Sequence, residues 1–342
     1  MPGLRKSRPE ERPGRPGSAP RVRASRPPVS RASVARVSIS RRKSKVTVSD
    51  FSPGYTASLK CGEIHRLFPD VLAGREFRKL VRAIVAAKKN RRPVILMIGG
   101  HVVKTGVSPL LIQLIDRGVV TAVAANGAAA IHDVEIAMWG KTSEDVQEGL
   151  AVGVFGMTSE TSSLVNAAVN EGFARKEGMG AALGRALASA RAPHADKSLI
   201  ASCRSKRIPF TVHVAIGTDV THQHPDASGQ AIGDTSMRDF RTLCSAVEKL
   251  KGGVVLNVGS AVVLPEVFLK AVAVARNKGV RYWPVTTANL DMTQHYRPLR
   301  NVIERPVRVG KGSVGIALTG HHEIMIPILV ASVLHALDKG GS

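Results

Sequence analysis

Cysteine is scarce in this 342-residue chain: Cys61, Cys203 and Cys244 are an odd, scattered set without a C-x-x-C pair. That argues against a disulfide scaffold or a thiolate zinc cluster and for a reducing compartment, so a cytoplasmic location is expected. Apolar runs are short, none approaching the ~18 residues of a spanning helix, and no membrane span is expected. Aromatic residues make up only 4%, and no RNA- or DNA-binding signature interleaves them with basic residues. Acidic residues number 26 against 49 Lys and Arg, a formal charge of +23.

That charge is unevenly placed. Residues 1–50 hold 14 Lys and Arg against 3 acids, a net +11, whereas the other 292 hold 35 against 23, a net +12. The first segment is rich in Arg, Pro and Ser and lacks hydrophobic periodicity, so a disordered basic tail is expected over residues 1–50 and a folded domain over 51–342. A nucleic-acid-binding arm or a transit-like peptide is the alternative use of the tail. With 44% hydrophobic residues, the remainder can bury a large core.

From residue 74 the pattern becomes regular. Phe77, Leu80, Val81, Ile84 and Val85 have the spacing of one helix face, and residues 94–98 form an apolar run ending in Gly99-Gly100. A helix capped by Ser108 with Pro109 in its first turn should follow. Strands are expected at residues 119–125, 210–216, 254–256, 282–285 and 315–318. The segment 143–205 should be helical, as should the stretch around residues 237–250 and residues 265–277 and 323–337. Short apolar strands alternating with helices imply parallel crossovers, hence an α/β doubly wound, mostly parallel, Rossmann-like sheet with helices on both faces.

Nearly every expected strand runs into small or polar residues: Gly100-His101, Asn126-Gly127, Gly217-Thr218-Asp219, Val258-Gly259-Ser260, Thr286-Thr287-Ala288 and Thr319-Gly320-His321-His322. In an open parallel sheet such ends share one edge, where ligands bind at the topological switch point. Glycines admit close backbone approach and helix N-termini favour phosphate, so a phosphate-bearing ligand fits, although the Gly-x-Gly-x-x-Gly fingerprint is absent. Histidines cluster in the same loops, at His132-Asp133, His222-x-His224 and His321-His322, and can move protons near neutral pH. A zinc hydrolase is the alternative, but no His-Glu-x-x-His or cysteine set supports it and no metal is expected.

In their order these loops resemble the deoxyhypusine synthase-like family of NAD-binding proteins. Residues 100–106 fall on its Ser-Asn-x-x-Ser-Ser-Gly, residues 126–130 on Thr-Thr-Ala-Gly-Gly, Gly217-Thr218-Asp219 on Leu-Thr-Asp and Val258-Gly259-Ser260 on the glycine-rich loop. Thr286-Thr287-Ala288 falls on Asn-Thr-Ala. The resemblance implies a homotetramer with NAD bound by Thr105, Gly106, Asn126, Gly127, Ala128, Asp219, Gly259, Ser260, Thr287 and Ala288. The family's imine-forming lysine in Trp-Gly-Lys has no counterpart in residues 304–308, where Arg308 cannot form an imine, and Lys311 lies three residues further on. Trp139-Gly140-Lys141 reads as a coincidence. A second stretch, residues 126–135, is similar to the Asn-Ala-x-Ala-x-His-Asp-x-Glu of archaeal-type ornithine cyclodeaminases, which implies the same cofactor.

Both resemblances imply an NAD-dependent transferase or lyase that transiently oxidises a C–N bond of a small amine or amino acid. His132, Asp133, His222, His224, His321 and Glu323 are the candidates for proton transfer and amine binding. The alternatives are an NAD-binding sensor without turnover, an ornithine cyclodeaminase-like enzyme, or a true deoxyhypusine synthase using a displaced lysine. Every proposed contact lies beyond the tail, so deleting residues 1–50 should leave NAD affinity unchanged by calorimetry. A large loss in a folded truncation would overturn the domain division.

Overall fold

A computed structural model describes residues 58–339; the expected disordered tail at 1–50 lies outside the described residues. A 3-10 segment (Cys61–Leu67) precedes α1 (Leu72–Lys89), β1 (Val94–Ile98), α2 (Gly100–Lys104) and α3 (Ser108–Asp116). Next come β2 (Ala122–Asn126), α4 (Gly127–Trp139), α5 (Val146–Val152), α6 (Ser159–Ala174), α7 (Met179–Ser189), α8 (Leu199–Ser205) and β3 (Phe210–His213). The second half runs α9 (Gly229–Glu248), β4 (Val254–Val258), α10 (Val263–Asn277) and β5 (Thr286–Asp291). After α11 (Tyr296–Pro298), a π-helical turn and α12 (Arg305–Arg308), the described residues close with β6 (Val314–Thr319) and α13 (His322–Lys339).

All six strands are parallel, in the order β3-β2-β1-β4-β5-β6, so the expected doubly wound sheet is the fold observed. Its order reverses between β1 and β4, which defines the switch point. The run Val-Ile-Leu-Met-Ile of β1 is buried throughout because both faces are covered. Val94, Leu96 and Ile98 pack on the layer containing α1, α3, α4 and α13, while Ile95 and Met97 pack on α9 and α10. Helix α1 joins the first layer through Phe77, Leu80, Val81, Ile84 and Ala87, each large apolar side chain stabilising the fold by about 1.5–3 kcal/mol.

Several element boundaries differ from the sequence expectation. The expected strand at 282–285 is irregular, and β5 begins at Thr286 instead. Pro284 offers no N–H to a ladder, whereas residues 286–290 pair with both β4 and β6. Ser108 is the first residue of α3 rather than its cap, which is Val107. Residues 100–104 form the extra helix α2 rather than an open loop. Helix α13 turns Ile326, Leu329, Val330 and Val333 into the core, leaving Ile324 exposed, so its apolar residues are mainly core rather than an interface face. Among the described residues no helix is long and apolar enough to cross a membrane.

One buried carboxylate ties three elements together. Asp239 on α9 accepts hydrogen bonds from Val212 N in β3 (2.8 Å) and Gly180 N in α7 (2.9 Å). Burial pushes its carboxyl up to about 7, against the pull of those two N–H groups. A Cβ on Gly178 would lie 2.0 Å from Asp239 Oδ1, so glycine is required there. Asp239→Ala should therefore cost about 2–4 kcal/mol in chemical denaturation, from two buried N–H groups left unpaired. A change below about 0.5 kcal/mol would show that water replaces the carboxylate.

Candidate functional site

The carboxyl ends of β1, β2 and β4 approach so closely that side chains are excluded. A Cβ on Gly99 would stand 2.0 Å from the Gly259 carbonyl oxygen. A Cβ on Gly100 would meet Ala128 Cβ and His132 Cδ2, both at 3.2 Å, and one on Gly127 would overlap Asp219 Oδ2 at 1.8 Å. Gly259 has φ +63 and faces His322, whose Cε1 would be 2.7 Å from an added Cβ. Closely packed bare backbone thus borders the crevice that a doubly wound sheet has at its switch point, and His132, Asp219 and His322 each abut one of these glycines.

His132 lies one turn into α4. Its Nδ1 is 2.7 Å from Thr142 Oγ1, and the Thr142 hydroxyl donates to Glu135 Oε2. Because that hydroxyl donates to the carboxylate, its oxygen accepts from His132 Nδ1–H, leaving Nε2 as the basic nitrogen. Thr161 Oγ1 donates to Glu135 Oε1 at 2.9 Å. Burial opposes ionisation of Glu135, but the adjacent His132 and the hydrogen bonds from Thr142 and Thr161 outweigh it and hold the carboxyl below its ordinary value. Glu135 also borders a cleft of about 380 Å³ with Trp139, Lys141, Glu144 and Glu160. The stretch Trp139-Gly140-Lys141, read from sequence as a coincidence, thus places its lysine beside the candidate site.

Asp133, the next residue, faces a different side of the helix, since successive helix positions are about 100° apart. It is buried and accepts from Ser198 Oγ (2.5 Å), Leu199 N (2.8 Å) and Ile200 N (3.1 Å), pinning the start of α8. Asp133, expected among the catalytic candidates, thus has both oxygens engaged at the start of α8.

Asp219 is buried, and its Oδ2 has no hydrogen-bond partner. Burial raises its carboxyl to about 6. His222 Nε2 stands 3.8 Å from Oδ2, while Gly217 N donates to His222 Nδ1 at 3.2 Å, so Nε2 carries the proton of the neutral ring. Burial lowers the His222 pKa. Beneath the pair is a void of about 20 Å³, room for roughly one water.

The remaining candidates divide. Asn126 caps α4, its Oδ1 accepting from Ala129 N at 2.9 Å, and Ser260 Oγ accepts from Leu264 N at 3.2 Å. These two, with Gly127, Ala128 and Gly259, lie on the crevice. Thr105 and Gly106 lie at the far end of α2, where Thr105 Oγ1 donates to Val102 O. Thr287 and Ala288 are fully buried inside β5, near its amino end, and Thr287 Oγ1 donates to Val302 O; the misplaced strand start put them at the wrong sheet edge. His224 Nε2 meets the Gly156 carbonyl at 2.8 Å and braces that loop. His321 and Glu323 are exposed and pair with each other at 3.5 Å. His322, which the sequence groups with His321 but which was not among the chosen candidates, is buried at the crevice. A signal existed: His322 is four residues before Ile326 and seven before Leu329, on the core stripe of α13.

Among the described residues, no group of three or more His, Cys, Asp or Glu is arranged to hold a metal. The family described as arginine dihydrolase ArgZ-like, C-terminal, Rossmann fold matches residues 78–172, which span α1 to α6. No curated protein matches. A candidate deoxyhypusine synthase from Entamoeba histolytica is similar in structure, with a TM-score of 0.51 and 9% identity over 83% of this chain and 97% of that one. At that identity the likeness is one of fold. The arginine dihydrolase ArgZ of the cyanobacterial ornithine–ammonia cycle gives a TM-score of 0.47 and 16% identity over 78% of this chain, and AgrE in its ternary complex with ornithine and NAD+ gives 0.45 and 16% over 79%. This chain spans about a third of each, 33% and 34%.

The structural reading of Asp133 has a pH signature. Its folded pKa of about 6 exceeds the unfolded value near 3.9, so its contribution is fully present below about pH 4 and lost as pH rises through 6. From pH 4.5 to 6.5 the wild-type melting temperature should fall relative to that of Asp133→Asn, which lacks this titration. Parallel curves would contradict the assignment.

Proposed function

We propose that this protein is an NAD-dependent enzyme that oxidises the carbon–nitrogen bond of a small amine or amino acid at the carboxyl edge of the sheet. The observation that carries the reading is that His132, Asp219 and His322 each abut a glycine of the bare backbone at the switch point, inside a sheet of dinucleotide-binding order. The ArgZ-like match over residues 78–172 supports it, because it contains the whole stretch 126–135. The cofactor suits the residues present: Gly99, Gly100, Gly127 and Gly259 leave backbone bare, and Asp219 Oδ2 is an unpartnered acceptor for an O–H or N–H donor. Bound NAD+ supplies a hydride acceptor.

Asp219 can receive either a ribose hydroxyl or a substrate ammonium; the ammonium is favoured because the carboxylate is buried without a cationic partner. His222 Nε2–H helps hold that carboxylate. As the hydride leaves the amine-bearing carbon, the nitrogen must lose a proton, and His132 Nε2 is placed to take it while Glu135 and Thr142 stabilise the imidazolium. The acidic cleft beside Glu135 favours a cationic substrate within a strongly basic chain.

Transfer of an aminobutyl group through an imine on Lys311 is not supported. Arg308 and Lys311 precede β6, so they lie at the amino edge of the sheet, a strand length of ~20 Å from the crevice. The test is NADH formation across a panel including ornithine, arginine and spermidine. At least one amine should reduce NAD+, and His132→Asn should lower kcat by roughly 10²–10⁴-fold with NAD affinity retained. NAD binding without reduction by any amine would favour a sensor; an aminobutyl adduct on Lys311 would establish synthase chemistry.

A further inference from the structure

His322 opens α13, yet its side chain is almost wholly buried, at 1% exposure. Its Nε2 lies 3.1 Å from the Leu290 carbonyl oxygen, which can only accept, so that nitrogen carries the proton. The other nitrogen, Nδ1, is then an acceptor, and it is buried with no partner. Buried acceptors are ordinarily satisfied, and leaving one empty costs free energy. The ring packs directly on Gly259, where an added Cβ would stand 2.7 Å from its Cε1, so a side chain there would displace the imidazole. On another side lies His101, an exposed ring at the end of β1 whose centroid is 5.7 Å away at an interplanar angle of 57°.

We infer that His322 Nδ1 accepts a hydrogen bond from the nicotinamide-bearing half of the bound dinucleotide, from its ribose hydroxyl or carboxamide N–H, once His101 turns aside. The inference rests on the NAD reading above and adds which half of the cofactor is bound where. A doubly wound sheet holds one mononucleotide over each half, with the adenosine ribose on the β2 side, so the β4–β6 half bearing His322 takes the other. His322 is thus a positioning residue for the end of the cofactor that accepts hydride.

The test is calorimetry of NAD+, nicotinamide mononucleotide and AMP on the full-length protein and on His322→Gln and His321→Gln. Glutamine places its amide nitrogen where Nε2 meets Leu290 O but offers no acceptor at the Nδ1 position. His322→Gln should weaken NAD+ and nicotinamide mononucleotide roughly tenfold and leave AMP unchanged, with no effect from His321→Gln. Equal loss for AMP, or unchanged affinity for nicotinamide mononucleotide, would overturn the inference while the NAD reading stands. A wild-type protein that binds none of the three would overturn both. If His322→Gln does not fold, the wild-type Nδ1 resonance in ¹⁵N-histidine-labelled protein decides: it should move with nicotinamide mononucleotide and not with AMP. An unmoved resonance overturns the inference.

Discussion

The near-contact of Gly99 with the Gly259 carbonyl is the constraint on which the site depends. A Cβ at Gly99 would be 2.0 Å from that oxygen, so the ends of β1 and β4 can lie this close only without a side chain there. The same economy recurs along the edge. The space that a Cβ would occupy at Gly100, Gly127 and Gly259 abuts His132, Asp219 and His322 respectively. Close backbone packing thus brings three titratable side chains to one crevice.

Burial alone does not distinguish a working carboxylate from a structural one. Asp133, Asp239 and Asp219 all have carboxyls raised by burial. Asp133 accepts from backbone N–H groups with both oxygens, which fixes α8, and Asp239 accepts two with Oδ2, which joins α7 to β3. Asp219 has an oxygen to spare and a histidine facing it. The partner count, rather than the pKa, separates the roles.

Much of the fold was legible because the strands of a parallel sheet buried on both faces are short apolar runs, as at residues 94–98 and 254–258. The site was less so. Thr287 and Ala288 look like a strand-end loop until β6 supplies a second partner for residues 286–290, a pairing that local pattern does not encode. His321 and His322 are indistinguishable by type, and only extending the helical period back from Ile326 separates the exposed ring from the buried one. His132 and Asp133 were chosen as a pair, yet helix geometry sends them to different environments. Thr142 returns to His132 and Glu135 through a chain reversal that spacing does not reveal.

Hydrogen–deuterium exchange of the full-length protein with and without NAD+ tests the central claim, that the cofactor occupies the carboxyl edge at the switch point. The expected result is slowed exchange in residues 99–103, 126–130 and 257–262, with residues 305–313 at the opposite edge unchanged. Protection confined to residues 305–313, or none anywhere at saturating NAD+, would contradict it.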